Sequence, residues 1–454
     1  MMQLLEAITK VTGYIQGLGS LVMIPIIIML VGMAFRVPFL RALRSGLFVG
    51  AGFVGLSLVT GALSQNLSPI ARALLERFDL NLAYVDAGWA AAAGVAFSTE
   101  VGAFIIPTIM LFNAVMLLLG LTKTVNIDIW NYWHYAFVGS CAYVVTGSYF
   151  YGFFGACAYC AFSLRMADYT AKDVEEVLGL PGISIPQAAS ISTAPVAIVM
   201  DKIYDRIPGF KNLHTDAESI NRKLGPVGDP VVIGFVLGLV LGFIARYNLG
   251  ASFKLGINLG AIMILLPRMV KVVMEGLMPI SDGAKAFMKA RFSGREYYIG
   301  LDSAVTAGHP TPVAISVLII PVYILFTIFI PWNECLPFGA LASTIFTGAI
   351  ANIIHKGDFL RSYLTSIVYV VIALTVGTVT GPIVTQVARN IGYTFPEGAT
   401  GITYFNAGGW VHVTIVTLLE QKWLGALIVV ALLAAFFWLT RDKSARKAAA
   451  PEAV

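Results

Sequence analysis

The chain has 454 residues, of which 58% are hydrophobic and only 12% are charged. Soluble globular proteins carry about 25% charged residues, so this composition excludes a soluble enzyme, a disordered protein and a nucleic-acid-binding domain. Since one membrane span takes about 20 apolar residues, the length allows roughly ten or more spans. The net charge of +5 matters less than where the positive charges lie.

Apolar stretches bounded by charges or turn residues predict a polytopic membrane protein of the all-α class. The predicted spans are residues 16–35, 46–64, 101–120, 130–148, 149–166, 230–246, 256–274, 315–331, 340–355, 360–378 and 423–440. The N-terminal segment lacks the basic region and cleavage site of a signal peptide, so none is predicted.

Two apolar segments are too short to span and are interrupted by glycine and an acid. They are residues 83–99, which contain Asp86, and residues 298–313, which contain Asp302 and are also broken by proline. Irregular backbone survives at membrane depth only where protein or a cavity covers it. Both segments are therefore predicted to be re-entrant elements.

The sequence resembles itself at a separation of 214 residues, and Asp86 matches Asp302 after a slip of two more. The matched pairs are Phe39 and Phe253, Gly46 and Gly260, Phe78 and Phe292, and Pro107 and Pro321. Each unit holds about five spans. Because five is an odd number, the second unit is predicted to be inverted in the membrane.

Charge placement favours the same arrangement. Arg36, Arg41 and Arg44 follow the first span, and the C-terminal tail is basic. Cytoplasmic loops are rich in Lys and Arg, so we predict an external N-terminus and a cytoplasmic C-terminus. The predicted parts are a first repeat (1–166), a cytoplasmic linker with an amphipathic or docked helix (167–229), a second repeat (230–380), an external loop (381–422), a last span (423–440) and a tail (441–454).

Ionisable residues in the broken segments are the first candidates for a site. Asp302 and His309 flank the second segment, and Asp86 has the matching place in the first. Buried charges in membranes usually mark a substrate or ion path, although a helix cap or an internal ion pair would use the same residues. Glu100 is a further candidate, with an N-cap in Ser98–Glu100 as the alternative.

A polar and aromatic cluster opens the span at 130–148. Asn131, Trp133 and His134 supply amide, indole and imidazole groups, which are typical of sites for polyol hydroxyls. An interfacial aromatic belt with cap residues would explain the same composition. Cys157 and Cys160 form a C-x-x-C in an apolar helix and are predicted to pack, not to bind metal. No cofactor or metal is predicted, and no motif for ATP hydrolysis appears.

Several segments resemble the galactitol-type enzyme IIC, the membrane permease of a bacterial phosphotransferase system. They are FDLNLAYVDAGW (78–89), VNIDIWNYWHYAF (125–137), GPVGDPVVIGFVLGLVLG (225–242), YIGLDSAVTAGH (298–309), LPFGALA (336–342) and HKGDFLR (355–361). The resemblance covers about residue 12 to the last span. One departure lies in the linker, where relatives read roughly GI-x-IPHG and this chain has Gln187 in place of the His.

The resemblance implies a homodimeric permease of the bacterial inner membrane that takes up a polyol or sugar. A phosphocysteine on a separate enzyme IIB, itself supplied by IIA, would phosphorylate the cargo, so this chain is the translocating component of a phosphotransferase. In that reaction Asp302 is predicted to be catalytic, because it can orient the substrate hydroxyl or accept its proton. Asp86, Glu100, Asn131, Trp133, His134 and His309 are predicted to bind substrate.

Two other classes of function use the same features. An ion-coupled secondary transporter would also have inverted repeats and an acidic site. A membrane receptor or scaffold would leave the buried ionisable residues without a role.

Overall fold

The computed structural model describes residues 20–77, 82–210, 215, 230–291, 297–393, 395, 400–404 and 409–441. The predicted pair Phe78 and Phe292 and nearly all of the tail lie outside these residues. The described chain is mostly helical, and a helix overlaps every predicted span. The α-helices are α1 (Ser20–Ala34), α2 (Phe39–Arg77), α3 (Gly88–Phe97), α4 (Glu100–Leu118), α5 (Trp133–Thr146), α6 (Tyr149–Leu178), α7 (Ala188–Ile191), α8 (Ala194–Tyr204), α9 (Pro230–Ile244), α10 (Leu249–Arg291), α11 (Pro310–Phe329), α12 (Phe338–Ala342), α13 (Ala349–Ile354), α14 (Phe359–Asn390), α15 (Trp410–Leu419) and α16 (Lys422–Leu439).

Six very short strands form two parallel sheets, which the expectation of an all-α chain missed. They are β1 (Tyr84–Asp86), β2 (Thr124–Asn126), β3 (Ile183–Ser184), β4 (Tyr298–Gly300), β5 (Cys335–Leu336) and β6 (Gly401–Thr403). Their orders are β5-β1-β6 and β2-β4-β3. Strands of two or three residues are too short for the alternating pattern that reveals a strand in sequence.

The two sheets are built alike, and each joins strands from distant parts of the chain. The Tyr84 N–H donates to the Glu334 carbonyl at 3.0 Å in one sheet, and the Tyr298 N–H donates to the Lys123 carbonyl at 2.8 Å in the other. In both sheets the central strand comes from one half of the chain and a neighbour comes from the other half. The sheets therefore tie the halves together.

Helices α2 and α10 are longer than predicted. The predicted spans cover residues 46–64 and 256–274, but α2 runs unbroken for 39 residues and α10 for 43. Gly234, Gly238 and Gly242 form a stripe of glycines four residues apart on α9, and this stripe packs closely against α10: a Cβ added to Gly238 would overlap the backbone of Gly256. The glycine stripe on α9 thus serves packing within the chain.

Matching positions in the first helices of the halves lie 210 residues apart. Arg36 after α1 and Arg246 after α9 have positive φ angles of 62° and 60°. A Cβ on Gly46 or on Gly256 would meet a backbone carbonyl of the preceding helix. A separation of 210 residues would match Gly46 with Gly256 instead of Gly260. A Cβ on Gly260 would also meet a backbone carbonyl of α9, that of Val231, so the pairing of Gly46 with Gly260 stays a prediction.

Three other predicted boundaries differ from the structure. The span predicted at 340–355 is broken into α12, a 3₁₀ turn at Thr344–Phe346 and α13. Helix α14 continues past residue 378 to Asn390, and the region predicted as a loop at 381–422 also holds β6 and α15. Among the described residues, four helices have the length and hydropathy needed to cross a membrane, namely α4, α11, α14 and α16.

Candidate functional site

A buried polar cluster forms where the second broken segment meets the start of α5. The Asn131 side-chain nitrogen donates to Asp302 Oδ2 at 2.6 Å and to Asp128 Oδ2 at 3.0 Å. Asn131 lies in a 3₁₀ turn, Ile129–Tyr132, directly before α5. An amide nitrogen carries two hydrogens, so each carboxylate receives one.

Local backbone geometry holds Asp302 in place. It is the N-cap of a 3₁₀ helix, Ser303–Gly308, and its Oδ1 accepts a hydrogen bond from the Ala304 N–H at 2.5 Å. The capping alternative is therefore correct for one carboxylate oxygen. The second oxygen, Oδ2, takes no part in the cap and accepts the hydrogen bond from the Asn131 side chain.

The pairing of two carboxylates decides what this cluster can bind. Asp128 and Asp302 are joined through a single amide, and buried like charges repel each other strongly. A shared proton or an additional hydrogen-bond donor relieves that repulsion. A sugar hydroxyl is such a donor, and it can also give up its proton to a carboxylate.

His134 extends the cluster towards the linker. Its Nδ1 lies 2.9 Å from the Asn131 carbonyl, and its Nε2 lies 3.4 Å from the Gln187 side-chain nitrogen. The Gln187 side-chain oxygen is already used, because it accepts from the Ser190 N–H at 2.6 Å. Gln187 therefore donates to His134 Nε2, and the proton of the neutral imidazole is on Nδ1.

Serine and aromatic contacts complete the cluster. The hydroxyls of Ser190 on α7 and Ser303 lie 2.9 Å apart, and both residues are buried. The Trp133 ring stacks on His134 with 3.8 Å between centroids and meets Tyr404 edge-on. The linker, α5 and the second broken segment thus converge on one place.

The other predicted site residues lie elsewhere. His309 ends the 3₁₀ helix and caps α11, with its Nδ1 3.3 Å from the Thr311 N–H. Asp86 is in the other sheet, where its Oδ1 accepts from Gly88. Glu100 is exposed in the first turn of α4, which Thr99 caps. Substrate binding by these three residues stays a prediction.

Sequence reasoning missed Asp128, Gln187 and Ser190 as site residues. Asp128 has the spacing of a cap, three residues before Asn131, and this hid its contact. Gln187 and Ser190 lie in a proline-broken stretch whose position against α5 only the tertiary structure reveals. The signal that could have found Gln187 was its departure from the pattern of relatives.

A second polar network attaches the linker to the first turn of α14 and the turn before it. Arg361 pairs with Asp201 on α8 at 2.8 Å, and His355 Nδ1 lies 3.0 Å from the same carboxylate. Lys356 pairs with Asp173 on α6 at 2.8 Å. These contacts fix the docked linker helices, and with them Gln187. Within the described residues, no group of three or more His, Cys, Asp or Glu side chains could hold a metal ion.

Span-length helices, broken segments and a buried acidic cluster at one break are together typical of membrane transport proteins. The model of the family described as "PTS system sugar-specific permease component", EIIC-GAT, matches residues 14–398. The chain is 41% identical over 430 residues to the "Putative permease IIC component" of Escherichia coli (strain K12), covering 95% of this chain and 98% of that protein.

The name of a second relative includes a substrate. The chain is 38% identical over 384 residues to the "PTS system galactitol-specific EIIC component" of the same strain, which covers 85% of each protein, and it matches the protein of that name from Escherichia coli O157:H7 equally well. The chain therefore belongs to the EIIC-GAT family of phosphotransferase permeases. Membership implies a sugar substrate and an enzyme IIB partner.

Proposed function

We propose that this permease takes up galactitol or a related polyol, and that phosphocysteine enzyme IIB phosphorylates the cargo on the cytoplasmic side. The observation that carries the proposal is the Asn131 bridge between Asp302 and Asp128, since paired carboxylates suit the hydroxyls of a polyol. The galactitol-specific name of a relative at 38% identity supports the substrate class.

The chemistry assigned to the cluster is positioning and proton transfer. Asp302 Oδ2 accepts the proton of the substrate hydroxyl while the hydroxyl oxygen of the substrate attacks the phosphorus of the phosphocysteine. The sulfur–phosphorus bond breaks, and the thiolate of enzyme IIB leaves. Asn131 holds the carboxylate in place, and because phosphoryl transfer depends mainly on positioning and charge stabilisation, this support matters.

The architecture proposed with this function is a homodimer with two inverted repeats. The matching hydrogen bonds of the two sheets and the paired turns at Arg36 and Arg246 support the repeat. The resemblance to enzyme IIC supports the dimer. Crosslinking in native membranes should give a species of twice the chain mass.

Uptake by membrane vesicles tests the coupling. We expect polyol phosphate to accumulate only when phosphorylated enzyme IIB is supplied on the cytoplasmic side. A panel of labelled hexitols and pentitols would then identify the substrate. Accumulation of unmodified substrate under a proton or sodium gradient alone would instead support an ion-coupled secondary transporter.

The Asp302→Asn variant tests the site. Asparagine keeps the size and the capping oxygen but cannot accept the proton, so phosphorylation should fall by about 10²–10⁴-fold with smaller loss of binding. Asp358→Asn is the matched control, because Asp358 caps α14 through the Arg361 N–H at 2.8 Å and lies outside the cluster. Equal phosphorylation by both variants would show that Asp302 is only structural.

A further inference from the structure

A cavity of about 1030 Å³ lies between the start of α2 and the second half of α10. Its lining includes no residue of the polar cluster. Arg36, Arg41 and Arg44 lie on the α2 side, and Glu275 and Asp282 lie on the α10 side. The cavity thus has a basic wall and an acidic wall.

The opposite charges of the two walls do not meet. Within the part of the chain that the structure describes, no ion pair joins these arginines to these carboxylates, and Arg44 lies instead over the Phe48 ring at 5.0 Å. Ser45 also lines the cavity. It is only 2% exposed, and its hydroxyl has no hydrogen-bond partner. A buried hydroxyl without a partner costs free energy that a ligand oxygen would recover.

The surface beside the cavity is apolar. Leu40 and Leu47 on α2 are 75% and 58% exposed, and Met278 on α10 is 58% exposed. Such side chains around a charged recess suit an amphiphile, whose polar head enters while its hydrocarbon stays outside. A water-soluble protein partner would not need this apolar border.

We propose that the cavity binds the phosphoethanolamine headgroup of a membrane phospholipid. The phosphate lies against the arginines and Ser45, near the N-terminal end of α2, where backbone amides favour an anion. The primary ammonium lies against Glu275 and Asp282. The acyl chains follow Leu40 and Leu47. Basic pockets between membrane helices bind anionic lipid headgroups, and the acidic wall here shifts the selectivity to a zwitterion.

Native mass spectrometry of the purified full chain tests this assignment. The protein is mixed with equal amounts of phosphatidylethanolamine, phosphatidylglycerol and phosphatidylcholine that share the same acyl chains. We expect phosphatidylethanolamine to be retained about tenfold more than the other two, because phosphatidylglycerol lacks the ammonium and phosphatidylcholine lacks its N–H donors.

Exposed charges can be changed here without disturbing the core. Arg41→Gln and Glu275→Gln should each reduce retention of phosphatidylethanolamine about tenfold. Arg268→Gln is the matched control, since this arginine of α10 is exposed and lies outside the cavity lining, and it should leave retention unchanged.

Three results would overturn the proposal. One is equal retention of phosphatidylglycerol by the unaltered chain. Another is displacement of the lipid by soluble O-phosphoethanolamine at the lipid's own concentration, which would assign the cavity to a soluble compound. The third is loss of enzyme IIB binding in Arg41→Gln and Glu275→Gln with lipid retention intact, which would make the cavity a protein-docking surface.

Discussion

Gln187 is the residue through which the linker reaches the polar cluster. Its oxygen caps α7 at the Ser190 N–H, and its nitrogen meets His134. Both ends of one amide are therefore used inside the protein. The imidazole in turn meets the carbonyl of Asn131, so a change at residue 187 is transmitted to the amide that holds both carboxylates.

Replacing this amide should lower stability and weaken substrate binding. Gln187→Leu leaves two buried polar groups unpaired, and each costs about 1–3 kcal/mol. Gln187→His retains one acceptor for Ser190 and one donor for His134, so it should unfold closer to the original temperature. Thermal unfolding and polyol binding of the two variants in detergent measure this. Equal unfolding temperatures of the original chain and Gln187→Leu would contradict it.

At this scale the sequence singles out polar residues that interrupt an apolar run, and their roles in a site stay predictions. Asn131, His134 and Asp302 were identified in this way, and the structure brings them together. Asp128 was overlooked because it lies three residues before Asn131, which is the spacing of a helix cap, so that a local role was enough to explain it. Ser190 lies among other small residues, and nothing in its sequence neighbourhood distinguishes it from packing.

At the scale of elements, the first broken segment depends on a contact between two glycines. Gly88 opens α3 with a φ of 77°, and a Cβ added to Gly339 on α12 would overlap the Gly88 backbone and reach the Asp86 carboxyl carbon at 3.0 Å. The backbones of the two elements can approach this closely only without side chains.

Gly339→Ala should therefore destabilise the protein by at least about 1–3 kcal/mol, because backbone on both sides must shift. Gly94→Ala is the matched control: an added Cβ there meets nothing within 4 Å, and alanine favours the α3 helix by about 1 kcal/mol. Unfolding temperatures in detergent compare the two. If the unfolding temperature of Gly339→Ala is no lower than that of Gly94→Ala, the close approach of the two glycines does not contribute to stability.

The attachment of α8 to the first turn of α14 and the turn before it should depend on pH. Burial raises the pKa of Asp201, but hydrogen bonds from His355 and Arg361 outweigh it and hold that pKa below its ordinary value of 3.8. A carboxyl group with a lowered pKa in the folded state stabilises that state above the unfolded pKa and loses this contribution as pH falls through the folded pKa.

Asp201→Asn should consequently unfold at a lower temperature than the original chain at pH 7, and the difference should shrink as the pH falls below about 3.8. Thermal unfolding between pH 3 and 7 follows the difference. Asp205→Asn is a useful comparison, since its carboxylate pairs with the same Arg361 but is more exposed. A difference that is independent of pH would show that Asp201 does not contribute through its charge.

For the whole molecule, orientation in the membrane is the first property to measure. The arginines after α1 and the basic tail predict an external N-terminus and a cytoplasmic C-terminus. A reporter fused after residue 454 should be active only if it is a cytoplasmic reporter. Activity of a periplasmic reporter at the same position would reverse the topology, and the inversion of the second half would lose its support.

The helical class and the apolar helices were predictable because apolar length is a property of sequence alone. The continuity of α2 and α10 was not, since a polar end on a long helix looks like a separate element. The break at 340–355 was hidden for the opposite reason. That stretch contains no proline and no Asp, Glu, Lys or Arg, and only the structure shows where the helix stops.

The interleaved sheets also constrain the order of events during synthesis. Strand β1 is central in its sheet, yet both its neighbours, β5 and β6, are made roughly 250–320 residues later. At about 5–20 residues per second, the backbone of β1 waits on the order of 10–60 seconds for its partners. A ribosome that stops before residue 335 would release a chain in which the backbone groups of β1 lack these partners. At membrane depth, where the first broken segment is predicted to lie, unpaired backbone groups cost several kcal/mol each.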